Sequence, residues 1–182
     1  MQRTFVTPAA LAPSALAELK QWLGITTAAD DAPLGALFAA ALETCEAFTG
    51  SLPIEAACEE VLPLCSGWQH LTTRPVQAIT GLYGLPADGP RFALPADGFA
   101  IELDADGGAR VRVTAPGDAT RIAVQFTAGL APEWDALPPG LRHGVMRLAA
   151  HQHREREGPG AAPLPPAAVA ALWRPWRRMR LA

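Results

Sequence analysis

The chain has 182 residues, of which 49% are hydrophobic and 18% are charged, and its formal net charge is −3. These values fit a soluble globular domain and not a transmembrane protein, because no apolar run reaches the roughly 18 residues that a membrane span needs. The N-terminus lacks the charged and apolar regions of a secretory signal, and the three cysteines have no metal-type spacing, so we expect reduced thiols in a cytoplasmic setting.

Two helices are predicted over about residues 14–50. The first has Ser14 as its N-cap, leucines at helical spacing and Gly24 at its end. The second has Asp31 as its N-cap and ends at Gly50. Its apolar face consists of Leu34, Leu37, Phe38, Ala41, Leu42, Cys45 and Phe48. Because Cys45 lies on this face, we expect a packed core thiol rather than a reactive one.

A central antiparallel β module is predicted at about residues 55–130, where apolar residues alternate with polar or small ones. Turns such as Asp88-Gly89 and Asp97-Gly98 separate its strands, because aspartate and glycine tolerate the backbone angles of tight turns. The candidate strands are Glu59–Leu64, Val76–Tyr83, Phe99–Leu103, Ala109–Thr114 and Arg121–Thr127.

A long C-terminal helix is predicted over residues 138–157, where Leu141, Val145 and Leu148 belong to an apolar stripe. Another face of this helix is basic and contains His143, Arg147, His151 and Arg154. Such a face is either a solvated surface or the lining of a channel that contacts phosphate groups without sequence specificity. The residues alone leave both alternatives open.

The C-terminal segment, residues 158–182, is predicted to form a Pro-rich linker, a short helix over 167–173 and a tail. The last ten residues contain two tryptophans, four arginines and no acidic residue, and Pro175 prevents a continuous helix. Exposed tryptophan beside arginine is typical of protein interfaces, which favours a docking tail. The alternative is that Trp173 and Trp176 fold back onto the body while the arginines are solvated.

Charge is distributed unevenly along the chain. Residues 138–182 contain eight arginines and two glutamates, a net charge of +6, so residues 1–137 must carry −9 of the total of −3. This asymmetry suits head-to-tail association between copies, docking on an acidic partner or contact with nucleic acid. It does not choose among them.

Motifs for catalysis or metal binding are not found in the sequence. There is no glycine-rich phosphate loop, no His-Glu-x-x-His, no Cys-x-x-Cys and no Gly-x-Ser-x-Gly. His151 and His153 are two residues apart on a helix and therefore cannot close on one ion. The acidic residues at 59–60 and at 102, 104 and 106 are better explained by solvation near turns than by acid–base chemistry. We therefore expect no enzymatic activity, no cofactor and no metal.

Several short motifs follow one another in an order that resembles a known family. They are Asp30-Asp31-x-x-Leu34, a helix that ends Glu46-Ala47-Phe48-Thr49-Gly50, the segment Leu71–Thr80, the segment Val124–Gly129, and Pro138 followed by a helix with Arg147-Leu148-Ala149-Ala150-His151. Together they resemble the head–tail connector (adaptor) proteins of tailed phages and of phage-derived gene transfer agents. The resemblance covers roughly residues 14–157.

The resemblance implies a structural protein of the virion, located at the head–tail junction after assembly in the host cytoplasm. Members of this family form a ring, usually of twelve subunits, beneath the portal protein. The ring extends the DNA channel and presents its lower surface to a stopper or other connector protein. Portal contact through the C-terminal segment would involve Trp173, Arg174, Trp176, Arg177, Arg178, Arg180 and Leu181. Non-specific contact with DNA in the channel would involve His143, Arg147, His151 and Arg154.

The predicted fold class is α+β, with a helical body of two N-terminal helices and a long C-terminal helix, the β module and an extended C-terminal tail. Residues 1–157 are predicted to form the connector domain and residues 158–182 the linker, short helix and docking tail. The alternative functions are a nucleic-acid-binding module that uses the basic C-terminal end, and a small enzyme or ligand-binding domain built on the β module. No membrane partner is expected.

Overall fold

The computed structural model describes residues 2–9, 11–155 and 165–177, and these residues form a mixed α+β fold, as predicted. The chain divides into two compact units. Residues 1–9 and 55–129 make up the β unit, and residues 10–54 and 130–182 make up the helical unit. The β unit is thus inserted in the sequence between the second and third helices and also includes the N-terminal segment.

The described residues of the β unit form two antiparallel sheets. In chain order the strands are β1 (Gln2–Thr7), β2 (Ala56–Pro63), β3 (Gln69–His70), β4 (Val76–Pro86), β5 (Phe92–Ala93), β6 (Phe99–Leu103), β7 (Ala109–Val113) and β8 (Ala119–Ala128). One sheet has the spatial order β1-β2-β8-β4-β5, and the other has the order β3-β7-β6. Residues of β2 alternate between buried and partly exposed positions, so Cys58 and Leu62 point into the core.

All five predicted strands are present, and Phe99–Leu103 has the predicted bounds. The β module is nevertheless larger than predicted, because β1, β3 and β5 were not expected from the sequence. Strands β3 and β5 have two residues each and carry no periodicity of their own. They are defined by their partners, since Gln69 lies opposite Val111 and Ala93 lies opposite Tyr83.

The described residues of the helical unit form four α-helices: α1 (Pro13–Leu23), α2 (Asp31–Thr49), α3 (Pro139–Glu155) and α4 (Ala167–Trp173). Gly24 and Gly50 end α1 and α2 with φ angles of 73° and 74°, which confirms both predicted helix ends. The longest of these helices is α2 with 19 residues, whereas α3, predicted over 138–157, has 17. None of them is long and apolar enough to cross a membrane.

Both predicted N-caps are wrong, because the two side chains bond to other partners. Ala12 occupies the N-cap position of α1, and the Ser14 hydroxyl donates to Asp135 Oδ2 at 2.8 Å. Asp31 is the first helical residue of α2, and its carboxylate accepts a hydrogen bond from Lys20 Nζ at 2.6 Å. These contacts join α1 to residues close to it in space rather than in sequence.

The core of the helical unit is centred on aromatic and aliphatic side chains of α2, α3 and the segment before α3. The rings of Phe38 and Trp134 meet edge to face with centroids 4.7 Å apart. Trp134 is fully buried, and its Nε1 donates to Glu18 Oε2 at 3.0 Å. The indole therefore packs its apolar body in the core while its polar group is satisfied.

The C-terminal segment is helical where the structure describes it. Helix α4 has the predicted bounds and is followed by a 3₁₀ turn over Arg174–Trp176. The predicted extended tail is therefore wrong for this turn, because the segment packs on the glycine-containing surface of α3 instead of leaving the body. Residues 156–164, with most of the predicted linker, and residues 178–182 lie outside the described part of the chain.

Candidate functional site

Two tryptophans of the C-terminal segment lie against two glycines of α3. Trp173 is 0% exposed, and its Nε1 donates a hydrogen bond to the carbonyl oxygen of Leu141 at 3.3 Å. A Cβ atom added at Gly144 would overlap this indole nitrogen. One helical turn earlier, a Cβ atom at Gly140 would lie 2.7 Å from Cη2 of Trp176. The Gly-x-x-x-Gly spacing thus lets both indoles approach the helix backbone closely.

The burial of Trp173 agrees with the second alternative for the tail, in which this residue folds back onto the body. Its side chain is not on the surface and cannot fill a partner's pocket while the unit stays folded. Trp176 is partly exposed, and Arg174 and Arg177 are exposed. The Arg177 guanidinium lies 5.4 Å from the ring centroid of Phe48. Three other predicted docking residues, Arg178, Arg180 and Leu181, lie outside the described residues, and portal docking stays a prediction.

A groove borders the basic face of α3 in the helical unit. The structure places His143, Arg147 and Arg154 on the surface of this face and His151 in a partly exposed position. The ring of Trp22 on α1 meets the ring of His143 at an angle of 71°, with centroids 5.5 Å apart. The groove has a volume of about 200 Å³. Its lining residues are Trp22, Arg147, His151, Arg154, Pro166, Ala168 and Val169.

The role of Trp22 was not predicted from the sequence. This residue lies outside the stripe of Leu16, Leu19 and Leu23 on α1 and is 47% exposed. It nevertheless follows Ala15 and Leu19, the buried residues of α1, at helical spacing and so lies on their face, and this spacing is the signal that could have identified it. Trp22 gives the basic groove an apolar wall, so the groove combines positive charge with an aromatic surface.

The arginines of α3 differ in how their charges are balanced. Arg142 lies 3.6 Å from Glu18 Oε1 and 3.8 Å from Asp135 Oδ1. Arg147 and Arg154 form no ion pair within 4.0 Å with any residue in the described part of the chain. Within the described residues, the positive charge of the groove that has no carboxylate partner therefore comes from these two arginines.

His151 differs from these two arginines, because a carboxylate of the same helix lies beside it. Its Nε2 lies 3.0 Å from Glu155 Oε2, one helical turn further along α3. The same atom is buried and has no hydrogen bond of good geometry within the described residues, so we regard the contact as one of proximity rather than a well-formed bond.

The solvation near turns that was predicted for the acidic pair at 59–60 is wrong for Glu60, because this residue is buried and has structural partners. Glu60 is 0% exposed, and its carboxylate accepts hydrogen bonds from Thr72 N at 2.9 Å, Thr72 Oγ1 at 2.8 Å and Thr73 N at 2.8 Å. Glu59 accepts from Arg91 Nη1 at 2.9 Å. The Glu60 carboxylate thereby holds the loop before β4 against β2. These three hydrogen bonds offset the free-energy cost of removing the carboxylate from water.

The cysteine on α2 is a packed core thiol. Burial, together with the charge of nearby Glu46, raises the pKa of Cys45 from 9.0 to about 12, so the thiol stays protonated at neutral pH. Among the residues that the structure describes, no group of three or more His, Cys, Asp or Glu side chains is arranged to hold a metal ion.

Comparisons with known proteins identify similar chains of nearly equal length. No protein-family model and no curated protein matches the sequence. Among solved structures, the chain is similar to one from the neck of an empty gene transfer agent (GTA) particle computed with C6 symmetry, with a TM-score of 0.79 and 29% identity. It is also similar to a chain from the neck of a native GTA particle computed with C12 symmetry, with a TM-score of 0.77 and 29% identity.

A third similar chain comes from the virion of a native GTA particle, with a TM-score of 0.76 and 30% identity. Each of the three alignments covers 100% of this chain and 98% of the other. The similarity therefore includes both units and is not limited to one common fold element. With this identity over the full length, the chain belongs to the family of structural proteins that form the neck of phage-like gene transfer agent particles, and its location is the virion neck, at the head–tail junction.

Proposed function

We propose that this neck protein is a head–tail connector of the adaptor type. In this role it forms a ring, usually of twelve subunits, beneath the portal, extends the DNA channel and joins the capsid to the tail. Its partners are the portal, a stopper or other connector protein below it, and further copies of itself. The role is structural and involves no catalysis or cofactor.

The observation that carries the proposal is the full-length similarity to chains from symmetric GTA necks. A ring with cyclic symmetry needs each subunit to present two different faces to its neighbours. The uneven charge of the chain, +6 in residues 138–182 against −9 in residues 1–137, supports contact between unlike faces.

The groove on α3 supports contact with the DNA that passes through the neck. Arg147 and Arg154 are exposed and have no carboxylate partner among the described residues, so they are free to meet phosphate groups. A single copy offers only a few such charges, whereas a ring gathers them around one axis. We therefore expect weak binding of DNA by the isolated chain and stronger contact in the assembled neck.

The same basic face favours the alternative function, a nucleic-acid-binding module that acts outside the neck. This alternative predicts that the isolated chain binds duplex DNA and that its affinity falls steeply as salt is raised. An Arg147→Glu/Arg154→Glu variant would then lose binding. Measurement of duplex binding by the wild-type chain at two salt concentrations distinguishes the two functions.

Portal docking is tested by co-purification of the chain with its portal protein. Truncation after Leu172 would remove the buried Trp173 and confuse docking with folding, so the informative truncation ends after Arg177. A second variant, Arg174→Glu/Arg177→Glu, reverses charge on the surface that the structure describes. An Arg112→Glu/Arg121→Glu variant makes the same change on exposed residues of the β unit and is the matched control.

We expect the truncation and the Arg174→Glu/Arg177→Glu variant each to weaken portal binding about tenfold or more, which corresponds to about 1.4 kcal/mol, while the control binds normally. Normal portal binding by both C-terminal variants would contradict docking through this segment. Failure of the wild-type chain to bind the portal at all would contradict the adaptor role.

A further inference from the structure

The most exposed large apolar side chains of the described residues are concentrated on two strands. Of the five, Phe5 and Val6 lie on β1 with 40% and 54% exposure, and Ile101 and Leu103 lie on β6 with 38% and 51% exposure. The fifth, Trp22, borders the groove on α3. Strands β1 and β6 are each at the end of a sheet, so one backbone edge of each has no strand partner within the described residues.

The exposed residues of β6 continue a buried apolar surface. Ile101 lies opposite Val111, and Leu103 lies opposite Ala109; both partners are 0% exposed. Residues that lie opposite each other in neighbouring strands share one face of the sheet. The buried face of β7 therefore extends onto β6, where it is left uncovered.

The edge at β1 also exposes an apolar side chain that lies on the buried face of its sheet. Phe5 lies opposite Cys58, which is 0% exposed, so its ring is on the buried face of the sheet although it is itself exposed. The Arg3 guanidinium lies 4.5 Å from the centroid of this ring. Val6 follows at an irregularity in the pairing between Phe5 and Thr7 and is also exposed.

Free edge strands in soluble proteins are normally short, charged or interrupted by proline, because an open apolar edge attracts other strands. The end strands β3 and β5 follow this rule with two residues each. In contrast, β1 has six residues and β6 has five, and each contains a single charged residue and no proline. Edges of this kind are expected where another strand covers them.

We propose that the β1 edge of one copy pairs with the β6 edge of the next copy, so that the sheets continue across the interface between subunits. The two edges are different from each other, as the unlike faces of a closed ring must be. They also differ in charge, since Arg3 is the only charged residue of β1 and Glu102 the only one of β6. Glu102 accepts a hydrogen bond from Arg110 Nε at 2.7 Å within its own sheet, and its side chain is 45% exposed. The inference rests on the proposed ring.

Crosslinking in purified particles tests this pairing. In a Cys65→Ser background, which removes the exposed cysteine, a Val6→Cys/Ile101→Cys chain is produced in particle-forming cells, and the particles are treated with a short bismaleimide. We expect a ladder of covalent oligomers larger than the dimer on a denaturing gel. The two single-cysteine chains should stay monomeric, because the pairing places each cysteine beside a residue of the next copy that is not a cysteine. A control pair at exposed turn positions, Ala87→Cys/Asp118→Cys, should give no ladder.

Hydrogen exchange on the wild-type chain provides a second measurement that needs no substitution. Peptides that contain β1 and β6 should exchange at least about tenfold more slowly in the particle than in the isolated chain, because new strand pairing protects outward-facing amides. Unchanged exchange at both edges would overturn the proposal even if the cysteine chain does not assemble.

The outcomes separate the edge pairing from the proposed ring. A chain that enters the particle but gives no ladder overturns the pairing and leaves the neck location intact. A crosslinked product that contains a different virion protein overturns the assignment of a second copy as the partner. The ring itself would be refuted if no cysteine pair gave crosslinked oligomers and each particle contained a single copy of this chain.

Discussion

Substitution of Gly144 by alanine tests the packing of the C-terminal segment on α3 most directly. The added methyl group would overlap Nε1 of Trp173 and lie 2.8 Å from Cδ1 and Cε2 of the same ring. Because the indole is fully buried, it can move only if its neighbours move as well. Overpacking of this kind costs about 1–3 kcal/mol.

The matched control is Gly35→Ala on α2. A Cβ atom at Gly35 has no heavy atom within 4 Å, so this substitution adds only the helix preference of alanine over glycine, about 1 kcal/mol. Gly144→Ala has the same gain and the overlap in addition. We therefore expect Gly35→Ala to raise the free energy of unfolding. The free energy of unfolding of the Gly144→Ala variant should be lower than that of the Gly35→Ala variant by about 1–3 kcal/mol.

Urea unfolding followed by tryptophan fluorescence measures this difference, because four of the five tryptophans lie in the helical unit. In a Trp173→Ala background the overlap is absent, so Gly144→Ala should no longer be unfavourable. Equal stabilisation by Gly35→Ala and Gly144→Ala in the wild-type background would refute the seating of Trp173 on this glycine.

Three further predictions concern buried groups. Glu60→Gln should lower the free energy of unfolding by about 1–3 kcal/mol, since an amide nitrogen replaces an oxygen that accepts from Thr72 or Thr73; circular dichroism in urea measures this, and an unchanged midpoint would contradict the acceptor role. A maleimide should label Cys65 but not Cys45 in the folded protein, because only Cys65 is exposed; mass spectrometry identifies the labelled residue, and fast labelling of Cys45 would contradict its burial. The free energy of unfolding should fall as pH rises from about 9 towards 12, because the pKa of the Cys45 thiol is near 9.0 in the unfolded chain but about 12 in the folded protein. A Cys45→Ala variant with the same pH dependence would exclude this cause.

Elements with a local signal could be predicted from the sequence. The ends of α1 and α2 follow from Gly24 and Gly50, since glycine readily adopts the left-handed conformation that ends a helix. The bounds of β6 and α4 were also predicted, because Asp-Gly turns and prolines flank them. In each case the information lies within a few residues of the element.

Features that depend on distant residues could not be predicted. Strand β1 exists because it pairs with β2, about 50 residues later in the chain. The role of Ser14 depends on Asp135, which is 121 residues away. The groove required α1 and α4 to lie beside the basic face of α3, so the four basic residues were predicted but Trp22 was not. Propensity and periodicity contain no information on such pairings.

The tail was the feature on which the sequence left two alternatives, and the structure shows that they need not exclude each other. Trp173 is buried against Gly144, which holds α4 and the following turn on α3. This packing fixes the position of Arg174 and Arg177, whose side chains stay exposed. A partner that binds these arginines would meet groups on an ordered helix end, so less conformational entropy is lost on docking than with a flexible tail. Buried tryptophan and exposed arginine thus have complementary roles in the proposed portal contact, the first in the fold and the second at the interface.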